Sequence, residues 1–227
     1  MHGSKKDLAA WLQVAWLFCT WEQGLSAREL QRQMRLSCYQ TAWSWLQKIR
    51  MAAALAEASP CRGLVLFDVV GLSAETAIRP KSPDIGLALE LGARKVEAAR
   101  VRFQVLGGCY ADELMAAIGR LVMKNSGLQL AAPCWSDCAG LAASYRMGEA
   151  TAEQRLKGQA VLRQVEAWLQ QVFCKAVDSG HLQSYLDEFS FHSNTAFWPD
   201  RQAVLDHLAT ALLLPADGVS QASAGKR

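Results

Sequence analysis

Ser59-Pro60 divides the chain into two textures, and that division constrains the fold more than any other feature. Proline disfavours helix at the residue before it, so the helical pattern before it must end there. Upstream, Leu8, Trp11, Leu12, Ala15, Trp16 and Cys19 recur at spacings of three and four, which predicts a helix over about 7–21 with one apolar face. Ser26 stands three residues before Glu29, and Ser37 three before Gln40, two capping-box spacings eleven residues apart. Helices over 26–34 and 38–50 follow, joined by a tight Arg35-Leu36 turn. This is the layout of a helix-turn-helix, whose second helix can enter a major groove. Gln40, Ser44, Gln47, Lys48 and Arg50 are expected on its exposed face, where they could meet base edges and phosphates. A plain helical hairpin with Trp43 and Trp45 packed inward accounts for the same spacing.

Downstream of Pro60 come strand-like runs at 63–68, 85–91 and 99–106, the last alternating charged and apolar residues. A helix over 111–124 and a strand over 128–133 follow. Thr151 and Gln154 open a long helix, and two more are expected over 181–191 and 200–213, separated by the break at Trp198-Pro199. The expected architecture is α/β: a helical module over 1–58, a mixed-sheet domain over 59–214 with C-terminal helices, and a polar, disordered tail over 215–227.

Composition narrows the function classes. The chain has 227 residues, 51% apolar and 20% charged, with net charge +3. That balance excludes a chain disordered throughout and permits a nucleic-acid partner without arguing for one. No apolar run approaches the roughly 20 residues of a membrane span, and the N-terminus lacks a secretory pattern, so a cytoplasmic location is expected. Seven scattered cysteines read as reduced core thiols. Cys134 and Cys138 lack the second pair that a structural zinc site needs.

Three acidic residues stand in contexts suited to metal-dependent phosphoryl transfer. Asp68 closes the run Gly63-Leu64-Val65-Leu66-Phe67, Asp137 lies in Trp135-Ser136-Asp137-Cys138 just past another apolar run, and Glu166 lies inside the long helix. Two strand ends and a helix can converge on a pair of divalent cations that clamp the attacking and leaving oxygens of an in-line displacement. Solvated surface carboxylates are the ordinary alternative for each residue alone.

Longer stretches carry a family resemblance: Gly24-Leu25-Ser26-Ala27-Arg28-Glu29-Leu30-Gln31-Arg32-Gln33, Tyr39-Gln40-Thr41-Ala42-Trp43 with Leu46-Gln47-Lys48-Ile49-Arg50, and His181-Leu182-Gln183-Ser184-Tyr185-Leu186-Asp187-Glu188-Phe189-Ser190-Phe191 with Asn194. From about residue 10 to about 213 the chain resembles the ISXO-like DDE transposases of bacterial insertion sequences, which are RNase H-like. The resemblance implies Asp68 and Asp137 as first and second metal ligands, Glu166 as the third, Mg²⁺ or Mn²⁺ as cofactor, and double-stranded DNA as partner: terminal inverted repeats and target, bound by a homo-oligomer. It also defines departures. Val69, Val70 and a single Gly71 follow Asp68 where relatives carry a further acidic residue and a glycine pair. Arg163 stands where an Asn is common, Lys175 comes late, and His192 and Thr195 replace arginine. The zinc ribbon with which relatives generally begin has no counterpart here. A remnant that binds DNA without cutting it is therefore a second expectation.

Overall fold

The computed structural model describes residues 8–21, 23–73, 76, 78–79, 83–92, 100–108, 110–131, 139–172 and 177–213. The chain divides into two compact units, Met1–Ala58 with Trp198–Arg227, and Ser59–Phe197.

The first unit is helical: α1 (Leu8–Thr20), α2 (Ala27–Gln33), α3 (Tyr39–Ala56) and α7 (Arg201–Leu213). α2 starts as its spacing predicts, with the Glu29 amide donating to Ser26 Oγ at 3.1 Å. The Ser37–Gln40 pair is not used: Cys38 takes the N-cap of α3 in extended conformation, and its side chain makes no capping bond. α3 also runs six residues past its expected end, because Met51–Ala56 contains no helix breaker and buries Ala52 and Ala53. Trp11 and Trp45 stack with ring centroids 5.0 Å apart at the centre of a core that includes Val14, Phe18, Leu30, Leu46 and Ile49. α7, expected with the sheet domain, packs instead on α1 and α3. Its Val204, Leu208, Ala211 and Leu212 are buried, and His207 Nε2 lies 3.2 Å from the buried carboxylate of Glu57. The expected tail at 215–227 lies outside the described residues.

The second unit is a mixed α/β fold. Its strands are β1 (Leu64–Gly71), β2 (Ile78–Arg79), β3 (Asp84–Glu90), β4 (Val101–Val105), β5 (Gly127–Leu130), β6 (Arg146–Glu149) and β7 (Val177–Asp178), and its helices are α4 (Ala111–Leu121), α5 (Ala152–Val172) and α6 (Leu182–Thr195). The main sheet runs β4-β3-β1-β5-β6, with β1-β3 and β3-β4 antiparallel and β1-β5 and β5-β6 parallel. β2 and β7 form a separate parallel pair. Strand alternation sends Val65 and Phe67 into a core with α4, and Leu66 and Val70 into a second core with α5 and α6. Both faces of the sheet are covered, so its central strand reads as an apolar run rather than an alternation.

The outer edge of β4 is closed by side chains. Arg100 and Leu106 turn their peptide groups toward β3, so Val101, Phe103 and Val105 point theirs away. The Val105 amide donates to Gln183 Oε1 at 2.8 Å and Gln183 Nε2 donates to the Phe103 carbonyl at 3.1 Å. Eleven residues on, Asn194 binds both polar groups of Val101. Two carboxamides of α6 thus replace a neighbouring strand, and an open edge that would template association is blocked. Among the described residues no helix is long and apolar enough to cross a membrane.

Candidate carboxylate site on the central strand

The β1-β5 ladder ends at Phe67 and Leu130, with a last bond from the Ala131 amide to the Phe67 carbonyl, while β1 stays paired to β3 as far as Gly71. Asp68 is therefore the first residue of β1 beyond its parallel neighbour. Adjacent strands that part at their carboxyl ends open a crevice, the usual place for ligands in such sheets. Asp68 shares the parity of Leu66 and Val70, so its side chain belongs to the face covered by α5. Burial pushes its pKa above the ordinary carboxylate value, against the Val69 amide, which donates to Oδ1 at 2.9 Å, and the positive field of Arg155.

Glu166 is half-buried on α5 and its Oε1 accepts from the Ser73 amide at 2.6 Å, tying the helix to the loop that leaves β1. Ser73 Oγ in turn lies 3.3 Å from Thr76 Oγ1. α5 approaches β1 closely because Gly158 carries no side chain; a Cβ there would come within 2.9 Å of Leu66 Cδ2. Asp137, with Cys134 and Cys138, lies outside the described residues. Among those described, no group of three or more His, Cys, Asp or Glu side chains gathers as metal ligands would. An open cleft of about 680 Å³ lies at the start of β1 between Arg62, Leu64, Glu90, Leu91, Gln154 and Lys157, but neither Asp68 nor Glu166 lines it. Its Lys157 is paired with Glu153 at 2.8 Å and its Glu90 accepts from the Arg62 amide.

The other expected site residues lie on α3. Gln40, Ser44 and Lys48 are exposed at intervals of four, a single stripe, with Lys48 Nζ 5.5 Å from the centre of the Trp11 ring. Gln47 is half-buried and its Nε2 is shut from solvent. Arg50 corrects the expectation of an exposed phosphate ligand. It is 1% exposed, and its guanidinium donates to the Leu25 carbonyl at 3.3 Å, a core role that holds the entry to α2 against α3. The helical period explains the error: Arg50 falls beside Leu46, Ile49 and Ala53 on the buried side.

Sequence reasoning missed Arg155, Ser73 and Gly158, because their roles arise only from the crossing of α5 over β1. It also missed Asp187, which donates nothing to the expected site but has its pKa pushed up to about 6 by burial, against a hydrogen bond from Gln183 and the charge of Arg102.

Comparison of the chain with protein-family models, curated proteins and solved structures finds no match.

Proposed function

We propose that the chain is a DDE-type transposase: an RNase H-like unit for metal-dependent strand cleavage and transfer, and a helix-turn-helix unit that holds duplex DNA. The observation that carries the reading is Asp68, a desolvated carboxylate at the notch where β1 outruns β5, on the face covered by the helix that bears Glu166. The sheet order supports it as well. In chain order the five strands lie third, second, first, fourth, fifth, so the first acidic residue lies on the central strand.

Hard divalent cations take oxygen ligands, and Asp68 and Glu166 offer them. A carboxylate kept out of water beside a single arginine is also one that a cation would favour in its charged form. On this reading Asp68, Asp137 and Glu166 would hold Mg²⁺ or Mn²⁺, which when bound would supply charge stabilisation for phosphoryl transfer. Arg155, whose charge works against the burial of Asp68, would draw the phosphate backbone toward the notch, and the Ser73 amide would orient Glu166.

One observation favours a second reading, a remnant that binds DNA without chemistry: Glu166 already serves a structural bond to Ser73. The two separate on a supercoiled plasmid bearing the ends of the element. The transposase nicks it with Mg²⁺ or Mn²⁺, and Asp68→Asn or Asp137→Asn abolishes nicking while DNA affinity stays unchanged. Equal nicking by Asp68→Asn would overturn the assignment of the site, and binding without any nicking by the unmodified chain would leave the remnant.

A further inference from the structure

α2 ends in a Schellman motif: the Arg35 amide donates to the Arg32 carbonyl at 3.3 Å, and the Leu36 amide to the Gln31 carbonyl at 2.9 Å. The residue after the C-cap in this motif adopts the left-handed conformation and is most often glycine, because a Cβ is penalised there. Here it is Arg35, with φ +49°. The only other non-glycine residue described with positive φ is Asn125, a type that tolerates it. Arg35 is exposed, and its guanidinium has no hydrogen-bond or ion-pair partner among the described residues. An arginine kept where the backbone prefers glycine, with nothing in the fold to use its side chain, breaks a local rule without structural compensation.

Its surroundings say what would use it. From α2 through α3, residues 27–56 hold five basic residues, Arg28, Arg32, Arg35, Lys48 and Arg50, and one acidic residue, Glu29. Arg32 is paired with Glu29 and Arg50 is buried. Among the described residues of this stretch the exposed charges outside any ion pair are therefore Arg28, in the first turn of α2, Arg35, just past its C-cap, and Lys48, whose ammonium lies near the Trp11 ring, all positive. Arg35 also stands at the turn into α3, at the end where the Gln40–Ser44–Lys48 stripe begins. That stripe spans about 12 Å along the helix, the width of a B-DNA major groove. The Trp11–Trp45 stack beneath it fixes the helix in place.

We propose that Arg28 and Arg35 are a phosphate-binding pair that seats α3 in the major groove of duplex DNA, with Gln40, Ser44 and Lys48 directed at the groove. This rests on the DNA-binding half of the reading above and is independent of its chemistry. Single-stranded nucleic acid fits less well, because it requires a run of stacking rings and the exposed face of α2 and α3 carries only Tyr39 as a large aromatic.

The test is fluorescence anisotropy of the full chain on a labelled 20-base-pair duplex across a salt series, without divalent cation. Arg35→Gly is the informative variant, since glycine suits the backbone there: Tm stays equal or rises, while the slope of log affinity against log salt falls by about one unit. Arg28→Ala with Arg35→Gly lowers it by about two. An unchanged slope in the double variant would overturn the proposal, as would equal or tighter binding to single-stranded RNA of the same length. Because no metal is present, failure to cleave DNA leaves this result untouched, and loss of the pair's effect with cleavage intact would refute the pair and spare the carboxylate site.

Discussion

Asn194 binds both free polar groups of Val101, accepting from its amide at 2.8 Å and donating to its carbonyl at 3.1 Å. One side chain thus does for an edge residue what a whole neighbouring strand would do. Gln183 repeats the arrangement at Phe103 and Val105, so two carboxamides of α6 are spent on closing the sheet edge.

Asn194→Ala should then cost about 1–3 kcal/mol, the range for stranding part-buried peptide groups. It should also promote self-association, since β4 regains an open edge. Urea denaturation measures the first and sedimentation velocity the second. An unchanged midpoint in a monomeric variant would mean that water replaces the amide without loss.

Asp187 should make the fold less stable at neutral pH than in mild acid. Its pKa is about 6 in the folded chain against a model-peptide value of 3.8. Between those values the native state keeps a proton that the unfolded chain has released, so this group's contribution falls as pH rises through about 4 to 6 and is flat above. Asp187→Asn keeps an acceptor for Gln183 and removes the buried charge. We expect it to raise stability above pH 6 by on the order of 1–3 kcal/mol and to flatten the acid side of the profile. A variant less stable at pH 7.5 than the parent would show that the carboxylate is compensated within the fold.

Arg50 and Lys48 should separate stability from DNA affinity. Arg50→Ala removes a buried side chain and its bond to Leu25, at a cost of about 2–4 kcal/mol. Lys48→Ala removes an exposed cation, changes stability by no more than about 0.5 kcal/mol, and lowers the salt slope of DNA binding by about one unit. The reverse pattern, measured by thermal denaturation and anisotropy, would return Arg50 to the binding surface.

The sequence made local structure legible where a signal and its partner lay within one element. The Thr151–Gln154 capping box forms reciprocally, with bonds of 2.8 and 3.3 Å, and α5 begins where it predicts. Periodicity found α1, α2, α4, α6 and α7 to within a few residues and found the four strands β1, β3, β4 and β5. It missed β6, because Arg146-Met147-Gly148-Glu149 is a short, exposed edge strand without alternation. It also placed α7 with the wrong unit, since an apolar face does not name the core that buries it. For the candidate site, the spacing placed Asp68 on a strand and Glu166 on a helix. The desolvation of one and the Ser73 bond of the other depend on long-range packing that no spacing encodes.

That packing turns on Gly158 and Leu66. A Cβ on Gly158 would meet Leu66 Cδ2 at 2.9 Å and Leu87 Cδ2 at 3.7 Å, so the helix that bears Glu166 lies as close to β1 as a bare backbone allows. Gly158→Leu should overpack this contact at about 1–3 kcal/mol, partly offset by up to about 1 kcal/mol of gained helix propensity. The larger consequence is positional: α5 is displaced from β1, Glu166 loses its bond to Ser73, and the nicking proposed above should fall although no carboxylate has changed. Leu66→Ala in the same chain returns the volume and should restore both Tm and nicking. Unchanged nicking in Gly158→Leu despite a lowered Tm would show that the α5–β1 spacing matters to the fold alone, and that the Ser73 bond of Glu166 has no part in the chemistry.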